Sequence, residues 1–466
     1  MVFSSVIFLG IFLPVSLISY FIMPGRTGKN IVLLIFSLMF YAWGEPKWVF
    51  IMAALTFADY LFAMLMDKVN KKGLKVTLLS MAVISNLSLL FIVKYYNFFV
   101  SAVNGVINLG LPEYDIRMPV GISFFTFQAL TYVVDVYRKD ARVQKNYFYL
   151  LLYISMFPQL IAGPIVRYSD IDMQITDRTE SMRGFVDGMF RFSIGLGKKV
   201  LFANYAGNIA TQLLEDNFNG ISAAAVWVGV LMFTMQIYFD FSGYSDMAIG
   251  LGKVFGFDYK ENFNYPYMAD SISDFWRRWH ISLSTFFRDY VYIPLGGNRK
   301  HHMLNIVIVW FLTGLWHGAS WNFIIWGLFY GILLIVEKKL KNIGIDISKV
   351  TVFGNILVLI IILYSMALFY FVDFEKMVQA THYMLGIGNR ISLGIAEKTI
   401  IYKYLWSIPV MVVACTPIPK KAASKIFKKE TVHTDILQSV MFAAVYILCF
   451  ILILNQTYNP FLYFRF

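Results

Sequence analysis

The chain is short of charge, cysteine and histidine. Only 15% of its 466 residues are charged, where soluble domains carry about one quarter. A large core does not account for the gap, because burial is limited by surface-to-volume scaling. Much of this surface must therefore face lipid. The two cysteines, Cys415 and Cys449, both lie in apolar runs, which excludes a disulfide framework and a thiolate metal site of the usual kind. No metal-ligand spacing, nucleotide-binding glycine loop or nucleophile elbow occurs. There is also no internal repeat, low-complexity tract or long polar linker.

What is abundant points the same way. Hydrophobic residues make up 58% of the chain and the mean hydropathy is +0.63. The 44 Phe, 29 Tyr and 10 Trp fit membrane helices with aromatic belts. The net charge of +12 reads as a topology signal, with no nucleic acid implied. Apolar segments recur at about 2–23, 30–44, 48–66, 74–101, 118–137, 146–166, 186–213, 221–251, 303–318, 320–337, 351–373, 400–416 and 434–455. The expected fold is an all-α polytopic membrane protein in a cell membrane. It has roughly 10–12 membrane helices plus re-entrant or interfacial ones, in a single membrane domain over 1–466 that ends in an aromatic tail at 456–466. Val2 to Met23 lacks a basic n-region and a cleavage site, so it reads as a retained helix. The Lys- and Arg-rich loops 24–30, 67–75 and 138–145, and those at Lys338-Lys339 and Lys420-Lys421, are expected inside, with both termini outside. Ser271 to Asp274 reads as a capping box opening one amphipathic helix through Tyr290.

Ionisable groups at membrane depth are costly and usually face a bundle interior or a wet cavity. His317, in Gly314-Leu315-Trp316-His317-Gly318, is the first candidate. A neutral imidazole can take a proton from an attacking hydroxyl, and Gly314 and Gly318 would leave room beside it. A structural His bonded to a neighbouring helix fits the helix equally well. His280 is the second candidate, with an interfacial His beside an aromatic belt as the alternative. Arg277 and Arg278 suit phosphate recognition or snorkelling to the interface. Asp240 and Asp246 could orient an imidazole, neutralise an arginine or cap a broken helix, with buried structural pairing the reading favoured for them. The full candidate substrate-binding set is Trp276, Arg277, Arg278, Asp240, Tyr244, Ser245, Thr313, Gly314, Trp316 and Asn322, with no metal ligand.

Five stretches in order carry a resemblance: Pro119 to Gln128, Phe157 to Ile165, Tyr238 to Asp246, Phe275 to Ser284 and Gly314 to Gly318. Through them nearly the whole chain resembles the membrane-bound O-acyltransferase (MBOAT) superfamily, and within it the membrane subunits of bacterial alginate and related polysaccharide O-acetyltransferases. The resemblance implies that His317 is catalytic and that His280 holds the second signature position, which is Asn or His across the superfamily. It implies a ring of tilted helices around a tunnel, with an acyl thioester entering from the cytosol and an acceptor from outside. It implies acetyl-CoA as donor substrate with no cofactor, an extracytoplasmic acyl-accepting partner protein, and a polysaccharide as final acceptor. The tail Phe461 to Phe466 resembles the aromatic tail of this bacterial subgroup, so Tyr463 is a candidate transient acyl acceptor; an interfacial aromatic anchor is the alternative. Rival readings are D-alanyl transfer from a carrier protein to teichoic acid, a transporter or flippase, and a scaffold for a polysaccharide synthase.

Overall fold

The computed structural model describes residues 1–107, 109–216, 218–346, 351–427, 431–455 and 462, without the side chains of 216 and 351–353. The apolar runs fold as helices, which satisfy every main-chain group within the segment, as lipid requires. The described residues contain no strand. They separate into two compact units: 1–194 with 244–260, and 195–243 with 261–466.

The first unit holds α1 (Phe8–Ile22), α2 (Arg26–Ala42), α3 (Trp48–Lys68), α4 (Lys72–Ile107), α5 (Ile122–Arg138), α6 (Tyr147–Ser155), α7 (Tyr168–Thr176), most of α8 (Met182–Gly197) and the last turns of α9 (Ala223–Val254). α3 and α4 are long and apolar enough to cross a membrane. They leave Phe50 and Ile84 exposed, a cost in water and none in lipid. α5 is buried along most of its length. Its N-terminal Gly121 has φ +81°, and a Cβ there would lie 2.8 Å from the Leu160 carbonyl oxygen, so two of the sequence stretches that carry the resemblance pack against each other. The apolar run 146–166 is not one span. α6 stops at Ser155, a short helix Phe157–Leu160 begins with Pro158, and Gly163 turns the chain at φ +107° against Ala248. Proline lacks the N–H that would extend α6.

The basic stretch 24–30, helical from Arg26, does more than carry charge. Arg26, Lys29 and the Tyr20 hydroxyl all donate to the Glu180 carboxylate, Tyr20 at 2.6 Å and Lys29 at 3.2 Å. Burial pushes the Glu180 carboxyl up, but these donors outweigh it and hold it at about 2.

The second unit contains the first part of α9, then α10 (Ile272–Arg278), α11 (Ile281–Phe287), α12 (His302–His317), α13 (Trp321–Asn342), α14 (Thr351–Tyr370), α15 (Phe374–Met384), α16 (Ile395–Tyr404) and α17 (Val432–Asn455). α9 and α17 also pass the length and apolarity test for a span; α1, α12 and residues Gly354–Tyr370 of α14 are shorter apolar helices. α12 and α13 form a hairpin through a connection of three residues, Gly318-Ala319-Ser320. The N-terminus of α9 is clamped by the 389–397 segment. Glu397 accepts the Ser222 N–H at 2.9 Å and its hydroxyl at 2.8 Å, and Ala223 donates to the Arg390 carbonyl at 2.8 Å. The apolar run 400–416 is likewise split, into α16 and a short helix Ser407–Ala414.

Candidate active site

The helix expected through 271–290 is broken, and the break builds the site. Ser271 caps α10 as the sequence suggests, its hydroxyl accepting the Asp274 N–H at 3.2 Å. The reciprocal half of the capping box is replaced: Asp274 pairs with Arg278 at 2.7 Å, and Glu337 of α13 accepts the Ile272 and Ser273 N–H groups at 2.7 and 3.2 Å. α10 then ends, and His280 takes a left-handed conformation at φ +44°, uncommon for a non-glycine residue. Asn262 absorbs the break. Its main-chain carbonyl accepts the Ile281 N–H at 3.0 Å. Its side-chain oxygen accepts the Ser282 N–H at 3.2 Å and the Ser282 hydroxyl at 2.8 Å, and lies 3.2 Å from His280 Nδ1. Because that oxygen is an acceptor, Nδ1 carries the proton, and Nε2 presents a lone pair. Nε2 is buried and has no hydrogen-bond partner among the described residues.

His317 is the last residue of α12, followed by extended Gly318. Among the described residues it meets Trp316 at 4.9 Å, Trp326 at 4.9 Å and Phe369 at 5.2 Å between centroids, each edge-on. Trp316 also meets His280 at 5.7 Å, so one indole touches both candidate histidines. Trp276 extends the aromatic wall, packing on Trp310 at 4.5 Å and on Tyr330 at 4.8 Å. Edge-to-face pairs of this kind are each worth about 0.5–1.5 kcal/mol beyond area burial, so the imidazoles sit in a stiff frame.

Several of the sequence-derived residues have other partners. A Cβ at Gly314 would lie 2.3 Å from the Phe323 carbonyl oxygen, and one at Gly318 would meet the Phe323 ring. The room expected beside the imidazole is thus filled by the α12–α13 contact. Asn322 donates to the Leu368 and Phe369 carbonyls at 3.4 and 3.2 Å, holding the helix that brings Phe369 to His317. The Thr313 hydroxyl bonds back to Val309 at 2.8 Å. The two arginines part company: Arg278 is engaged by Asp274 and the Asn264 carbonyl, while Arg277 lines a cavity of about 590 Å³ with His302, Lys338, Lys341, Glu337 and Asp274. A smaller cavity of about 170 Å³ lies between Trp276, Trp310, Thr313 and Leu283, and Ile306 lines both. Asp240 is paired with Lys199 at 2.8 Å. Tyr244 and Ser245 belong to the first unit, where Tyr244 stacks on Phe3 at 4.4 Å. Tyr463 lies outside the described residues. Asn262, Glu337, Trp326 and Phe369 were not singled out in the sequence. The one visible signal was polar Asn262 and Asn264 interrupting an aromatic stretch.

Helices that satisfy their main chain internally, apolar faces left outward, and a buried His280 beside a half-buried His317 fit a multi-pass membrane enzyme. Residues 31–343 match the MBOAT, membrane-bound O-acyltransferase family, and the chain belongs to that family and is an O-acyltransferase. It is 42% identical to the probable alginate O-acetylase AlgI of Azotobacter vinelandii over 73% of this chain and 69% of that one. The like-named protein of Pseudomonas putida is 34% identical over the full length of both chains. The peptidoglycan O-acetyltransferase of Helicobacter pylori is 36% identical over 73% and 71%.

Proposed function

We propose that this enzyme moves an acetyl group from cytosolic acetyl-CoA across the membrane for O-acetylation of an extracytoplasmic polysaccharide, through a partner protein outside. The observation that carries the reading is the pair of imidazoles bridged by Trp316, one of them, His280, with its tautomer set by Asn262. His317 acts as general base on an acceptor hydroxyl. The resulting oxygen nucleophile attacks the thioester carbonyl, the C–S bond breaks, and CoA thiolate leaves. His280 offers Nε2 as an acceptor, which suits orienting a donor group of the substrate better than stabilising an oxyanion. The larger cavity, with Arg277, Lys338 and Lys341 on its wall, suits CoA phosphates. The smaller apolar one suits the uncharged end of the thioester. Passing only the acyl group through a tunnel avoids moving a charged carrier through lipid. The Tyr463 phenol is a candidate first acceptor: its ester oxygen would later be displaced by the partner's hydroxyl, with the phenolate as leaving group.

The similarity to alginate and peptidoglycan O-acetylating proteins supports acetyl as the group and a glycan as its destination. The test is release of free CoA from acetyl-CoA by purified, reconstituted protein. Wild type is expected to release CoA, and His317→Ala to be slower by about 10²–10⁴-fold, the usual worth of a general base, while remaining folded. A folded His317→Ala that retains full turnover removes His317 from the mechanism. Background release by both, with turnover of a D-alanyl carrier, moves the donor assignment to that carrier.

A further inference from the structure

Asp240 lies near the middle of α9 and its side chain is almost fully buried. Two donors converge on its carboxylate. Lys199 Nζ reaches Oδ1 at 2.8 Å, and the main-chain N–H of Leu462 reaches Oδ2 at 2.8 Å. Lys199 is itself only 2% exposed. It sits in a π-helical turn, Lys198–Ala203, a form frequent at functional sites. Gly243 brings the two segments together: a Cβ there would lie 2.7 Å from the Gly195 carbonyl oxygen and 3.3 Å from the Lys199 nitrogen. One residue on from Asp240, Phe241 sets its ring perpendicular to His280 at 4.6 Å. Leu462 is buried as well, at 5% exposure.

A buried ion pair is rarely retained for stability alone, since an apolar pair of the same volume avoids the desolvation cost. Here the carboxylate has a second use, because it takes a main-chain donor from a residue that follows α17 by only seven positions.

We propose that Asp240, held by Lys199, is the receptor for the C-terminal tail. It binds the Leu462 amide on the helix whose Phe241 packs on His280. Asp240 and Lys199 are positioning residues. The proposal rests on the acyl-transfer reading above, and its test is read by a signal that does not depend on transfer.

Leu462→Cys in the full-length protein reports on the tail, because the native Cys415 and Cys449 are both buried. Its rate of labelling by a polar maleimide is compared in the wild-type background and in Asp240→Leu/Lys199→Met, which removes the receptor without stranding a buried charge. Protection in the first and labelling at least tenfold faster in the second is expected, with the melting temperature shifted by only a few degrees. Leu462→Pro, which lacks the N–H but keeps the ion pair, is expected to lower transfer to an external acceptor at least tenfold. Equal labelling in both backgrounds, fast or slow, overturns the proposal. A clear labelling contrast in a protein that transfers no acyl group leaves the anchor standing and removes the function proposed for the site.

Discussion

At the scale of single residues, His280 is shaped as much by its backbone as by its imidazole. A left-handed conformation is tolerated by Asn and costs a β-branched residue most. His280→Asn is therefore expected to keep the wild-type melting temperature and retain part of the acyl-transfer rate, since its amide oxygen still accepts. His280→Val is expected to lower the melting temperature measurably and to lose transfer. Equal stability of the two variants would show that the break does not depend on this backbone. Asn262 belongs to the same unit of argument. It satisfies the broken helix through its main-chain and side-chain oxygens and sets the imidazole tautomer through the second, so a residue remote in sequence decides which nitrogen of His280 is free.

At the scale of elements, the α12–α13 hairpin is the part whose geometry admits least change. Gly314 and Gly327 let the two backbones touch: a Cβ at Gly327 would lie 2.3 Å from the Trp310 carbonyl oxygen. Backbone cannot move aside as a flexible side chain does, so Gly314→Ala is expected to destabilise by about 1–3 kcal/mol, the usual cost of overpacking. It should also displace His317, one turn away on the same helix. Gly73→Ala, where nothing lies within 4 Å, is expected to be neutral or to stabilise by about 0.4–1 kcal/mol. Thermal unfolding in detergent compares the two, and a neutral Gly314→Ala would refute the packing account.

At the scale of the whole molecule, each unit is tied by a carboxylate outside the apolar helices. Burial raises the Glu397 carboxyl, but hydrogen bonds from Arg390, the Gly394 N–H and Ser222 outweigh it and hold it at about 2, as the Arg26, Tyr20 and Lys29 donors do for Glu180. Both values lie below the ordinary 4.5, so as pH falls the unfolded chain takes up these protons first. The stabilisation is present above about pH 4.5 and is lost as pH falls from there toward about 2. The melting temperature is expected to drop over that window, and Glu397→Gln to flatten the drop while lowering stability at neutral pH. An unchanged acid profile in Glu180→Gln and Glu397→Gln would show that other groups govern it.

That this is a helical membrane protein with an imidazole at His317 and a second at His280 was legible in the chain, because apolar runs, low charge and rare histidines within apolar segments are local properties that one chain displays openly. It also showed a start signal for α10 at Ser271. Where the helices break, which glycines serve packing and which cations are spoken for follow from the assembled fold. Pro158 and Gly163 are legible as breakers, but the break at His280 is paid through Asn262, and Arg278 is taken by Asp274 while Arg277 lines a cavity. Those outcomes depend on groups brought together across the chain, and periodicity within one segment carries no information about the hydrogen-bond partner that another segment supplies.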